Sequence, residues 1–291
     1  MRMTSVQWSY ARHSSFERDS LTLPSCYACP ESIDAWRHRR MLDTLLPLLE
    51  CYPGASWMTL GDGGYGSDAY YLQSHGADAT ATSLTDATLQ VAFSRGYIKK
   101  YQVQNAEALT VADGSFDFVM CKESYHHFPR PPIAFYEMWR VARRALVLIE
   151  PYDSGTKPLA FVKWLAKKLL RGEGNAQFEP SGNFLFKVSV REVEKMSTAI
   201  GGEAMAVKYF NDFFYPRAAR DRHGQLSFGS LITQLGLMTQ NTLCRMGLLG
   251  YGLTTTLVFK EAIEPQLRDA LNRKGFKIIG LPKNPYMQKQ I

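Results

Sequence analysis

Between residues 56 and 150 short apolar runs alternate with stretches of helical spacing, and this alternation constrains the fold more than any other feature. SWMTLG (56–61) reads as a buried strand ending in glycine, and residues 67–75 as the helix behind it. ADATATS (77–83) and residues 86–93 repeat the pair; YQVQ (101–104) is a short third strand and FDFVMC (116–121) a fourth. Pro131 and Pro132 sit where the first turn of a helix tolerates proline. ALVLIE (145–150) is a nearly continuous apolar run, as a strand covered on both faces requires.

Such a rhythm predicts an α/β fold with a doubly wound, mostly parallel sheet and helices on both faces. Right-handed crossovers would bring the strand C-termini to one edge, where ligands bind. Ahead of the alternation, residues 1–55 form an N-terminal segment whose first thirty residues lack a period; residues 33–49 then carry a helical pattern ending at Pro53-Gly54. Residues 56–150 make up the core. Residues 151–291 complete the sheet with strands at 204–210 and 252–260, interrupted by helical insertions at about 152–187 and 211–250.

The first turn, LGDGGYGSDA (60–69), contains Gly61, Gly63 and Gly66 in the spacing G-x-G-x-x-G. Glycines let a backbone approach a ligand closely, but the spacing serves both NAD(P) or FAD and S-adenosylmethionine. A dinucleotide site wants an acid about twenty residues later, at the end of strand two. Ser83 stands there, and no arginine is near to accept a 2′-phosphate. An NAD(P)-dependent oxidoreductase is the rival reading, without its second anchor.

At these residues the sequence resembles the class I S-adenosylmethionine-dependent methyltransferases, of the methyltransferase type 11 kind. TLGDGGYG, ATSLTDATLQVA, NAEALTVADGSFDFVMCKESYHHF and VARRALVLIEP follow one another in the family's order. The resemblance implies a Rossmann-like methyltransferase fold with seven strands and S-adenosylmethionine as cofactor. It implies that Gly61 and Gly63, with Asp62 and Gly66 in the same loop, meet the methionine end. Ser83 and Leu84 would lie at the ribose, Asn105 and Ala106 at the adenine with Glu107 beside them, and Lys122 and Glu123 toward the sulfonium and acceptor. Three family acids are missing: Thr59, Ser83 and Asn105 stand in their places. Neutral hydrogen bonds are weaker than charge-assisted ones, so either the cofactor is held modestly or Asp62 and Asp86 supply carboxylates. The missing acids also leave open a non-catalytic binding module.

Methyl transfer is an in-line displacement, so the protein must chiefly align the acceptor and exclude water. A hydroxyl acceptor benefits from a base, and His126, His127 and Glu123 follow strand four at the ligand edge. The reaction expected is O-methylation of a small polar metabolite or sugar precursor. CYAC (26–29) has metal-ligand spacing but no second pair, so no metal is expected. Residues 157–172 read as a basic amphipathic helix, with Lys163, Lys167 and Arg171 opposite Val162, Leu165 and Leu169. That helix suits a surface role, or a lid for an anionic or lipid-linked acceptor and peripheral membrane contact.

The net charge of +7, from 34 basic and 27 acidic residues, is dispersed and gives no preference for nucleic acid. The first fifteen residues lack a signal-peptide core, and no apolar stretch suits a membrane span. With five cysteines, an odd number, a cytoplasmic protein is expected.

Overall fold

The computed structural model describes residues 3–19, 22–155, 157–159, 178–179 and 183–286. Eight strands form one sheet: β1 (Ser56–Leu60), β2 (Asp78–Ser83), β3 (Tyr101–Val103), β4 (Phe116–Lys122), β5 (Ala142–Pro151), β6 (Ala204–Phe210), β7 (Leu253–Phe259) and β8 (Lys277–Gly280). Their order is β3-β2-β1-β4-β5-β7-β6-β8. The first five are mutually parallel; β7 runs antiparallel between β5 and β6, and β8 pairs antiparallel with β6. The reversal at β7 separates this sheet from a dinucleotide-binding order of 3-2-1-4-5-6. β8 is one strand more than the sequence suggests. Its four residues KIIG offer only two apolar positions, both half-buried, too few to carry a period.

The strand period of two assigns alternate residues to two cores. Trp57, Phe118, Met120, Ala145, Val147 and Ile149 face one side, packed with Met41, Leu45, Leu72, Leu89 and Leu267 from helices Ile33–Leu42, Ser67–Ser74, Ala87–Ser94 and Pro265–Arg273 and the turn after the first of these. Met58, Leu60, Val119, Leu146 and Leu148 face the other, packed with Phe135, Met138 and Val193 from helices Pro131–Val141 and Val190–Ala199. Neither face of the central strands meets water, which is why ALVLIE is almost unbroken. The helix at Pro131 begins on Pro131 itself, where the missing N–H costs no hydrogen bond.

The opening residues, without a legible period, fold as helix Ser5–Asp19, whose apolar content is low. Residues 228–245, within the aromatic and polar segment at 211–250, form an 18-residue helix capped by Ser227. The basic helix expected over 157–172 lies outside the described residues apart from 157–159. Among the described residues no helix is long and apolar enough to cross a membrane.

Candidate active site

β1 stops at Leu60, and the chain turns through Gly61 (φ +68°) toward Gly66 (φ +66°), which opens helix Ser67–Ser74. A Cβ on Gly61 would lie 2.6 Å from the Ser124 Cβ, and one on Gly63 2.7 Å from Glu17 Oε1. Glycine at 61 therefore lets the loop after β1 close on the turn after β4, whereas a side chain at 63 would have to displace the Glu17 carboxylate. Ser124 Oγ donates to the Gly61 carbonyl at 2.9 Å, tying the loop after β1 to the turn after β4.

Two cavities meet at that tie, since Gly61 and Ser124 line both. The larger, about 450 Å³, is bordered by Asp34, His38, Asp68, Tyr70, Lys122 and Glu123. The smaller, about 120 Å³, is bordered by Tyr10, Glu17, Ser83, Leu84, Asn105 and His127. Both open at the carboxyl ends of parallel strands, where the topology directs ligands.

In the larger cavity the Lys122 ammonium lies 3.1 Å from Asp68 Oδ1 and 3.7 Å from Glu123 Oε2. Burial works against its charge, but Asp68 and Glu123 outweigh it and hold the ammonium above the usual lysine range. Glu123 has φ +49°, the left-handed region that non-glycine residues enter at a cost of roughly 1–3 kcal/mol. Burial would raise the Glu123 carboxyl, but Lys122 and His38 together hold it below the carboxylate norm. His38 Nδ1 lies 3.6 Å from Glu123 Oε2. Burial, then Lys122, keep this imidazole below its ordinary value.

Asp62 is buried at the border of the larger cavity. Its carboxylate accepts Thr59 Oγ1 at 2.8 Å and the backbone N–H groups of Asp68 and Ala69 at 3.2 and 2.9 Å. It shapes the loop by satisfying the N-terminal N–H groups of the helix that follows. Burial and the neighbouring Asp68 charge push it up to about 8. Asp86 is exposed and borders neither cavity. Neither aspartate therefore fills the gap left at Ser83.

A different carboxylate stands there. Glu17, from helix Ser5–Asp19, accepts the Ser83 hydroxyl through Oε1, and Thr85 N and Oγ1 through Oε2 at 3.1 and 2.5 Å. Tyr10 of the same helix donates to Glu107 Oε2 at 2.6 Å, and His13 lies 3.2 Å from Asn183 Oδ1. Positions 10, 13 and 17 share a helix face, a pattern that a search for apolar periodicity passes over because all three are polar. Glu107 is enclosed by Tyr10 and by the Arg130 backbone N–H and Nε at 2.5 and 2.6 Å. Asn105 Oδ1 accepts the Glu107 N–H at 2.9 Å, closing its own turn. Ala106 is buried beside them.

The two histidines sit in a single-turn 3₁₀ helix, Tyr125–His127, each with its own carboxylate. His126 Nδ1 lies 2.6 Å from Glu150 Oε2, and His127 Nδ1 2.6 Å from Glu179 Oε2. Burial opposes a charge on both. For His126 the bond to Glu150 prevails and its value is raised; for His127 burial and the His126 charge prevail and its value is lowered. The rings are 3.9 Å apart, and His127 borders the smaller cavity. Cys29 is exposed and Cys26 half-buried; among the described residues no three His, Cys, Asp or Glu side chains converge as a metal would require.

Residues 60–149 match the family model described as a methyltransferase domain. No curated protein matches the chain. Among solved structures, YcgJ from Bacillus subtilis shares 20% identity, with 78% of this chain and 100% of that one covered at a TM-score of 0.52. The magnesium protoporphyrin IX methyltransferase of Synechocystis PCC 6803, solved with bound S-adenosylhomocysteine, shares 16%, with 87% and 97% covered at 0.50. At these identities the likeness is one of fold. The match over residues 60–149 identifies a methyltransferase domain in that segment, and the glycine turn lies within it at the edge of the sheet.

Proposed function

We propose that the chain transfers the methyl group of S-adenosylmethionine to a hydroxyl of a small polar metabolite or sugar precursor in the cytoplasm. The observation that carries this reading is the junction of two cavities at Gly61 and Ser124, inside the matched segment and at the carboxyl ends of β1 and β4. The residues present fit the cofactor: the chain turns through the left-handed Gly61 at the carboxyl end of β1, and Gly61 lines both cavities. When bound, S-adenosylmethionine supplies a methyl group already activated on a sulfonium.

Gly61, Gly63 and Gly66 would carry the loop past the methionine end, with Asp62 holding its shape. Ser83 and Leu84 would meet the ribose. Asn105 and Ala106 would border the adenine, with Glu107 fixing their turn from behind. Lys122 and Glu123 would face the methionine end and the acceptor across the larger cavity. A general base must be unprotonated at neutral pH. His127, held below its ordinary value and bonded through its backbone N–H to the carbonyl of Ser124, which lines both cavities, is the candidate for that base; His126 would orient it from its bond to Glu150.

An anionic or lipid-linked acceptor suits the charge of +7. The test is incubation with methyl-labelled S-adenosylmethionine and fractionated small molecules. Label should appear in a polar compound at oxygen. Label at nitrogen or carbon would remove the hydroxyl assignment, and bound cofactor without any transfer would favour a binding module.

A further inference from the structure

Resting on that cofactor reading, we infer that Glu17 supplies the ribose-binding carboxylate that β2 lacks, so that helix Ser5–Asp19 is part of the nucleoside site. Ser83 ends β2, and its hydroxyl is too short and neutral to grip a ribose diol as a carboxylate would. The Glu17 carboxylate lies directly on that strand end, bonded to Ser83 and to both polar groups of Thr85. It also stands over Gly63, 2.7 Å from where a Cβ would be, which places it above the glycine turn.

The same helix closes the cavity. Tyr10, His13 and Glu17 all border the smaller space, and its 120 Å³ falls short of the roughly 300–1,000 Å³ usual for a ligand of this size. A nucleoside entering here meets the helix face, and its ribose hydroxyls take over the carboxylate bonds now made by Ser83 and Thr85. Ser83 and Thr85 keep the carboxylate aimed at the rim until then. Opening of the helix and capture of the ribose are thus one event, with Glu17 on both sides of the exchange.

The test compares S-adenosylhomocysteine with its 2′,3′-dideoxyribose analogue by calorimetry, in the full chain and in Glu17→Gln. The wild type should bind the complete nucleoside at least tenfold more tightly than the analogue. Glu17→Gln should lose most of that ratio while affinity for the analogue stays within about threefold, and Glu17→Gln with Ser83→Asp should recover it. Equal weakening of both ligands in Glu17→Gln, or tighter binding of both, would overturn the assignment. If the variant does not fold, equal affinity of the wild type for the two nucleosides overturns it alone. A wild type that ignores both nucleosides and binds NADH refutes the cofactor reading itself, a result distinguishable from the others.

Discussion

Glu150 holds His126 with one carboxylate oxygen, at 2.6 Å from Nδ1, and the turn before it with the other, accepting Ser124 N and Tyr125 N at 2.9 Å each. The end of β5 thereby fixes the segment after β4 in both charge and backbone geometry. Glu150 is fully buried, so its bonds are made away from competing water. The two adjacent imidazoles acquire opposite tendencies from this arrangement, and their contrast is measurable.

His126 should titrate above 6.5 and His127 below it, as read by NMR of the ring signals. For His126 the sign follows from a folded value raised above the unfolded one. Its stabilisation is complete below the unfolded value and is lost as pH rises through the folded value. For His127 the folded value is lowered, so protonation favours unfolding and stability rises with pH up to the unfolded value. Glu150→Gln should cost about 3 kcal/mol at pH 6, by breaking a buried pair, and the difference from wild type should shrink at higher pH. Identical or reversed midpoints for the two rings would contradict this electrostatic picture.

His127→Ala should lower kcat by about 10²–10⁴-fold, the range for loss of a general base, with cofactor affinity nearly unchanged. His126→Ala should act less severely and shift the pH–rate profile, because it removes the charge beside His127. Near-normal turnover in both variants, once an acceptor is known, would exclude base catalysis by this pair.

Gly61→Ala forces an alanine to φ +68° and brings its Cβ against Ser124. The backbone penalty alone is roughly 1–3 kcal/mol. Urea unfolding should show a loss of about that size, and S-adenosylhomocysteine affinity should fall at least tenfold as the Ser124 tie shifts. An alanine variant with unchanged stability and affinity would show that the turn is looser than its geometry implies.

Lys122→Met leaves Asp68 buried without its cation, since both side chains are more than nine-tenths covered. A loss of about 3 kcal/mol in chemical unfolding is expected, and Lys122→Met with Asp68→Asn should regain most of it. Equal losses in the single and double variants would mean that packing, rather than charge pairing, matters here.

The sheet was legible because its central strands are buried on both faces: FDFVMC and ALVLIE can hardly be read otherwise. β8 was not, since a four-residue edge strand needs little apolar content. At the site, the glycine turn and the histidine pair could be located because their residues are consecutive. The carboxylates that act on them could not. Glu17 meets Ser83 across 66 positions, Glu150 meets His126 across 24, and Glu179 meets His127 across 52. Asp62 illustrates the converse: it sits among the glycines in sequence, yet its carboxylate is engaged in capping the helix that follows.

The most direct test of the whole account is calorimetric titration of the purified chain with S-adenosylmethionine, and separately with NADH and NADPH. One saturable site for the sulfonium nucleoside, abolished by crowding the turn at Gly61, and no heat with either nicotinamide compound, is the predicted result. Saturable binding of a nicotinamide dinucleotide with none of S-adenosylmethionine would contradict it.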